Sequence, residues 1–185
     1  MKLKTYICIL RGINVSGQKL IKMEKLRSSL SELGFCKVTT YIQSGNIVFQ
    51  FKEEASTLPG KMIGEKIQED FGYDVPVLLL SINKLRNIVA NNRFAGDPSK
   101  DIKYLHVTFL AQPPEQFDKE EIITRKAETE EIIFSDDAVY LFCPGGYGKT
   151  KLNNNFIESR LKVSATTRNW RTTLKLLDLA EGLER

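Results

Sequence analysis

VPVLLL, residues 75–80, reads as a β-strand with a proline at its second position. Proline has no N–H to give to a ladder, so Pro76 confines this strand to the edge of a sheet. What lies upstream turns that placement into a topology. LKTYICIL (3–10) is a nearly continuous apolar run rich in aromatic and β-branched residues, the pattern of a central strand covered on both faces. Met23, Leu26, Leu30 and Leu33 then recur at helical spacing, and Gly34 stands where a helix C-terminal cap belongs. KVTTYI (37–42) and NIVFQF (46–51) flank a turn built on Gln43-Ser44-Gly45-Asn46, which makes them an antiparallel hairpin. A second helix opens with Pro59 in its first turn, carries Ile63, Ile67 and Phe71 on one face, and is capped by Gly72. The order β-α-β-β-α-β is the split βαβ, ferredoxin-like pattern, in which the first and third strands are central and the fourth is an edge. A helix from Ser81 as N-cap through Leu85, Ile88 and Val89 closes the unit.

NNRFAGDPSKD (91–101) is polar and turn-rich and reads as a linker, after which the same order begins again. A strand KYLHVTFLA (103–111), a charged helical stretch 115–126, strands EEIIFS (130–135) and AVYLFC (138–143), a glycine loop, a helix 153–161 and a short strand KVSA (162–165) follow. The expected architecture is therefore α+β, two ferredoxin-like domains covering residues 1–93 and 103–185. TTRNWRTTLKLLDLA (166–180) reads as the closing helix, with Trp170, Leu174 and Leu177 facing inward and Arg168, Arg171 and Lys175 forming a basic stripe.

With 185 residues, 42% of them hydrophobic, the chain is long enough to bury a real core. It has no apolar run near twenty residues, and Met-Lys-Leu-Lys leads straight into a strand, so we expect a cytoplasmic protein with no membrane association. Three widely spaced cysteines, Cys8, Cys36 and Cys143, without a Cys-x-x-Cys pair read as small buried hydrophobes in a reducing compartment. Net charge is only +4 but unevenly spread. Residues 1–50 carry eight basic and two acidic side chains, residues 111–140 three and nine, and residues 147–175 seven and one. Such runs are ordinarily solvated helix faces; the alternative is an anion-binding surface built from the two basic ends.

CPGGYGKT (143–150) is the one stretch that resembles a phosphate loop. A Walker A loop needs a glycine where this chain has Cys143, and Pro144 removes a donor from the backbone cradle, so the pattern speaks against a true P-loop. A weaker reading survives, in which a glycine-rich turn at a helix start exposes N–H groups and Lys149 and Lys151 add charge. The single histidine, His106, leaves no basis for a multi-histidine metal site, and no Cys or carboxylate cluster has ligand spacing; neither metal nor cofactor is expected. The third strand, SGNIVFQF (44–51), lacks the leading Lys/Arg and the central aromatics of an RNA-recognition platform.

LRGINVSG (10–17) with QSGNIVF (43–49), then GGYGKTKL (145–152), then TTRNWRT (166–172) resemble the signatures of a bacterial group, domain-of-unknown-function family 1697. The matching residues are Arg11, Gly12, Asn14 and Gly17; Ser44, Gly45 and Asn46; Gly148 and Lys149; and Arg168, Asn169 and Trp170. The resemblance implies a two-part ferredoxin-like fold and no activity. Its glycines and Trp170 have structural explanations in turns and core. Arginines in an opening helical turn usually have an anionic partner, either an internal carboxylate or a ligand. The leading expectation is a binding protein for a phosphate-bearing small molecule or single-stranded nucleic acid near the domain interface. There Arg11, Lys149, Lys151, Arg168 and Arg171 neutralise charge while Asn14 and Asn169 orient the ligand. The alternatives are a phosphoryl or nucleotidyl transfer enzyme that uses Lys149 and the arginines, and an assembly protein whose sheet faces pair into a homo-oligomer.

Overall fold

The apolar run near the start of the chain becomes β1 (Lys4–Leu10), buried at six of its seven positions. It lies at the centre of a four-stranded antiparallel sheet with the order β2-β3-β1-β4. Its neighbours are β3 (Asn46–Phe51), also buried throughout, and β4 (Val77–Ser81). β2 (Cys36–Tyr41) and β4 are the edges, and Pro76 sits one residue ahead of β4, where its missing N–H interrupts no ladder and its carbonyl accepts from the Arg11 N–H at 3.1 Å. α1 (Met23–Glu32) and α2 (Pro59–Phe71) cover one face. Leu26, Leu30, Ile63 and Ile67 pack there with Tyr6, Cys8, Ile47 and Phe49, and Phe35 stacks on Phe49 with ring centroids 4.5 Å apart. The other face is buried too, at Ile7, Ile9 and Val48.

α3 (Ile82–Ala90) follows, its first turn held by the Ser81 hydroxyl, which accepts from the Lys84 N–H at 3.2 Å. The second sheet has the order β6-β7-β5-β8, again antiparallel. It comprises β5 (Leu105–Leu110), β6 (Glu131–Phe134), β7 (Ala138–Phe142) and β8 (Ala165–Asn169). α4 (Lys119–Ile123) and α5 (Asn154–Leu161) contribute Ile122, Ile157 and Leu161 to a core with Leu110, Val139 and Leu141. α6 (Trp170–Glu184) ends the chain. This computed structural model describes residues 3–52 and 58–185; the Met1-Lys2 start invoked above lies outside them. The chain divides into two compact units, Met1–Leu85 with Leu176–Arg185, and Arg86–Lys175, with both boundaries falling inside helices, α3 and α6. The C-terminal segment returns to the first unit, where the Gln50 side-chain amide donates to the Leu183 carbonyl at 2.8 Å. Among the described residues no helix is long and apolar enough to cross a membrane.

Several expectations need correction. The stretch read as a linker is folded: Arg93–Gly96 forms a 3₁₀ turn capped by the Asn92 side chain, Phe94 is buried, and the Lys100 ammonium lies 5.5 and 4.8 Å from the Phe94 and Phe142 ring centroids. The helix expected over 115–126 shrinks to five residues, because Asp118 caps it late and its sequence carries little apolar surface to bury. TTRN is not the start of the last helix but strand β8, in register with β5 through Thr108↔Thr167 and His106↔Asn169. Its β-branched threonines suit a strand, and Asn169 stops it by capping α6, accepting from the Thr172 N–H at 2.8 Å. Within α6 the buried arc runs through Trp170, Thr173, Leu176 and Ala180, and Leu174, expected inside, is 39% exposed. Arg168 consequently leaves the supposed basic stripe. Cys8 and Cys143 are fully buried, as expected of small hydrophobes, but Cys36 is exposed at the start of an edge strand.

Candidate functional site

The two N-terminal motif stretches form one structural knot in the first unit. Gly45 has φ +75°, and a Cβ there would stand 2.6 Å from Leu10 Cβ and 2.9 Å from Ile13 Cδ1; its carbonyl accepts from the Leu10 N–H at 2.8 Å. Asn46, fully buried, donates to the Tyr41 carbonyl and the Ser44 hydroxyl. Asn14, in the left-handed region at φ 53°, gives its amide hydrogens to the carbonyls of Ile21 (3.0 Å) and Gln43 (2.8 Å) and accepts from the Ile21 N–H (2.8 Å). Both amide donors are thereby committed to holding the 11–21 loop on the β2–β3 turn. Arg11 is half-buried beside Pro76.

The glycine loop of the second unit is likewise self-contained. The N–H groups of Gly146, Lys149 and Thr150 donate to the carbonyls of Cys143, Gly146 and Tyr147, so they do not point outward as a phosphate cradle would require. Nor does the loop open the helix. A 3₁₀ turn, Tyr147–Lys149, ends it; Thr150 then caps the Leu152 N–H, and α5 starts only at Asn154, with the Asn153 side chain accepting from Phe156 N. The reading of a loop that opens a helix is corrected accordingly: three of its backbone donors are used locally and α5 begins beyond it.

Residues of two separate segments meet here. Lys149 and Lys151 line a cleft of about 360 Å³ whose opposite wall is the turn after α4, bringing in Arg125 and Lys126. Thr150 and Glu130 complete the floor. Glu130 is 4% exposed and uses a carboxylate oxygen to accept from the Ala127 N–H at 2.9 Å, which braces the turn. Among the described residues none of the four cations has a carboxylate within ion-pair distance. Beneath the loop, burial first and the nearby Glu130 carboxylate second push the Cys143 thiol up to about 12, so it is protonated and inert at neutral pH.

On its other side the loop is pinned by Tyr147. Its ring stacks on His106 with centroids 4.7 Å apart, and its hydroxyl donates to the Thr167 hydroxyl at 3.0 Å. Thr167 Oγ1 in turn lies 2.8 Å from Thr108 Oγ1 and donates to Asn154 Oδ1 at 3.1 Å. Burial pulls the His106 pKa below its ordinary value, only partly offset by the Tyr104 carbonyl 3.2 Å from Nδ1. The remaining expected site residues of this unit lie apart from the cleft lining. Arg168 pairs with Val107, on the sheet face opposite Thr167, and donates to the Thr167 carbonyl; Asn169 is a helix cap; Arg171 is exposed, its charge felt by Asp101. Arg125 and Lys126 escaped the sequence reading because they stand in the segment whose net charge is acidic. Among the described residues no group of three His, Cys, Asp or Glu side chains is placed to hold a metal ion.

The family model described as "Protein of unknown function (DUF1697)" matches residues 3–140. The chain belongs to this family. The matched segment contains the first knot and Arg125, Lys126 and Glu130, while the glycine loop and TTRNWRT lie beyond it. The solved structure of a conserved bacterial protein, SP0830 from Streptococcus pneumoniae, is 24% identical, with a TM-score of 0.68 over 97% of this chain and 99% of that one. At that identity the likeness is one of fold. No curated protein matches the chain.

Proposed function

We propose that the protein binds a phosphate-bearing ligand in the cleft of its second unit, on a pair of ferredoxin-like α+β units. The strand orders β2-β3-β1-β4 and β6-β7-β5-β8 support the second clause, since each places the unit's first and third strands at the centre. One observation carries the first: four cations from two separate chain segments line one concave surface, with a single carboxylate among them that is already engaged. Like charges brought together without counter-charges repel, and an anion relieves that repulsion. Lys149 and Lys151, tied to a loop pinned through Tyr147, and Arg125 and Lys126 across the cleft neutralise the ligand. Thr150 lies in the same lining.

A thermal-shift panel of nucleotides, polyphosphates, anionic metabolites and short single-stranded oligonucleotides, run at low and moderate salt, tests this. A ligand that binds only the folded state raises the melting temperature. The reading expects a shift that shrinks with salt and is lost in Lys149→Gln. Shifts confined to oligonucleotides would make the ligand nucleic acid, and a panel flat for every anion would overturn the reading.

A further inference from the structure

Two arginines share the ring of Phe156. The Arg125 guanidinium carbon lies 5.6 Å from its centroid and that of Arg160 5.4 Å. Their situations differ in charge. Arg160 is paired with Glu121 at 3.0 Å, whereas Arg125 lines the cleft with no carboxylate in reach among the described residues. An aromatic face favours a planar guanidinium against it without neutralising the charge, so Arg125 is oriented before any ligand arrives.

The charges of the cleft also limit what fills it. Four cations face one buried carboxylate, an excess of three positive charges. A phosphate monoester brings only about 1.5–2 negative charges at neutral pH and leaves the site under-neutralised. Two or three linked phosphoryl groups match it. The volume, about 360 Å³, lies near the low end of the range for small-molecule sites, roughly 300–1,000 Å³. It holds a short phosphate chain, and a nucleoside attached to that chain extends outside.

We infer that the cleft selects a condensed phosphate, two or more phosphoryl groups in a chain, with Arg125 held by Phe156 as the residue that distinguishes it from orthophosphate. This rests on the anion-binding reading above. The planar fork of Arg125 bonds two oxygens at once, including oxygens of neighbouring phosphoryl groups, which a lysine ammonium does not reproduce.

Isothermal titration of the full chain with orthophosphate, pyrophosphate, inorganic triphosphate, ATP and GTP tests it, with circular dichroism confirming that each variant is folded. The expected order is triphosphate, then pyrophosphate, then orthophosphate, with triphosphate at least about tenfold tighter than orthophosphate. ATP and GTP should match triphosphate to within about twofold, because the base lies outside. Arg125→Lys, which keeps the charge, and Phe156→Leu, which removes the platform, should each weaken triphosphate about tenfold and leave orthophosphate nearly unchanged. Lys25→Gln, a charge change in the other unit, should do neither. Equal affinity for orthophosphate and triphosphate, an unaffected Arg125→Lys, or binding of ATP but not triphosphate would overturn the inference while the anion site stands. Absence of binding by every phosphate compound would remove both.

Discussion

Replacing Gly45 by alanine should destabilise the first unit by more than a glycine substitution ordinarily costs. Its φ of +75° puts any L-residue in the left-handed region, at about 1–2 kcal/mol. The added Cβ would also lie 2.6 Å from Leu10 Cβ, where carbon atoms ordinarily pack at about 3.5–4.0 Å. Leu10 Cβ is fixed to the backbone of a central strand, so no rotamer change moves it, and the Leu10 N–H to Gly45 carbonyl bond ties the two residues together. Overpacking of that kind adds about 1–3 kcal/mol, for a total of about 2–5 kcal/mol. Gly34→Ala is the control: its φ is +80°, but its Cβ would meet nothing within 4 Å, so only the backbone cost applies. Urea unfolding followed by circular dichroism suits the comparison, because the only tryptophan, Trp170, belongs to the second unit. Gly45→Ala should exceed Gly34→Ala by about 1–3 kcal/mol. Equal losses would refute the claim that close approach to Leu10, and not φ alone, requires glycine.

Asn169→Ala should cost about 0.5–2 kcal/mol through loss of the α6 cap, and Asn169→Asp should recover most of it; thermal unfolding reads both. Native protein treated with a thiol reagent near pH 8 should show one fast thiol, the exposed Cys36, and denatured protein three, because Cys8 and Cys143 are buried and Cys143 ionises only near 12. The raised Cys143 value means that the folded protein keeps a proton the unfolded chain releases, so stability should fall as pH rises above about 8.5, and Cys143→Ser should flatten that limb. His106 is the opposite case. Its folded pKa is lowered, so the unfolded chain binds the proton more readily, stability should fall as pH drops below about 6.5, and His106→Gln should remove the slope.

Local patterns that serve local structure were readable. Pro76 foretold an edge strand, and β4 is one; Pro59, Ile63, Ile67 and Gly72 marked α2 to the residue. The boundary of the last helix was not readable, because TTRN offers both a β-branched strand and a polar helix start. The choice is made by pairing with β5, a partner some 60 residues away in the chain. Leu174 looked inward because its spacing from Trp170 is apolar and helical, but the arc that is buried takes in Thr173 and Ala180 instead. The candidate site divides in the same way. Lys149 and Lys151 stood out beside their glycines, but Arg125 and Lys126 lie among nine acidic residues between 111 and 140, and only folding brings their segment to the cleft.

By itself the chain's sequence determined the element types and order of the first half, the edge placement set by Pro76 and the family, because periodicity, proline and glycine act through near neighbours. Tertiary structure alone decided that Asn14 and Asn169 spend their side chains on loop and helix ends, that the glycine loop bonds to itself, and that four cations meet in one cleft. Hydrogen-bond satisfaction and charge convergence depend on which distant segments become neighbours, and no local pattern encodes that.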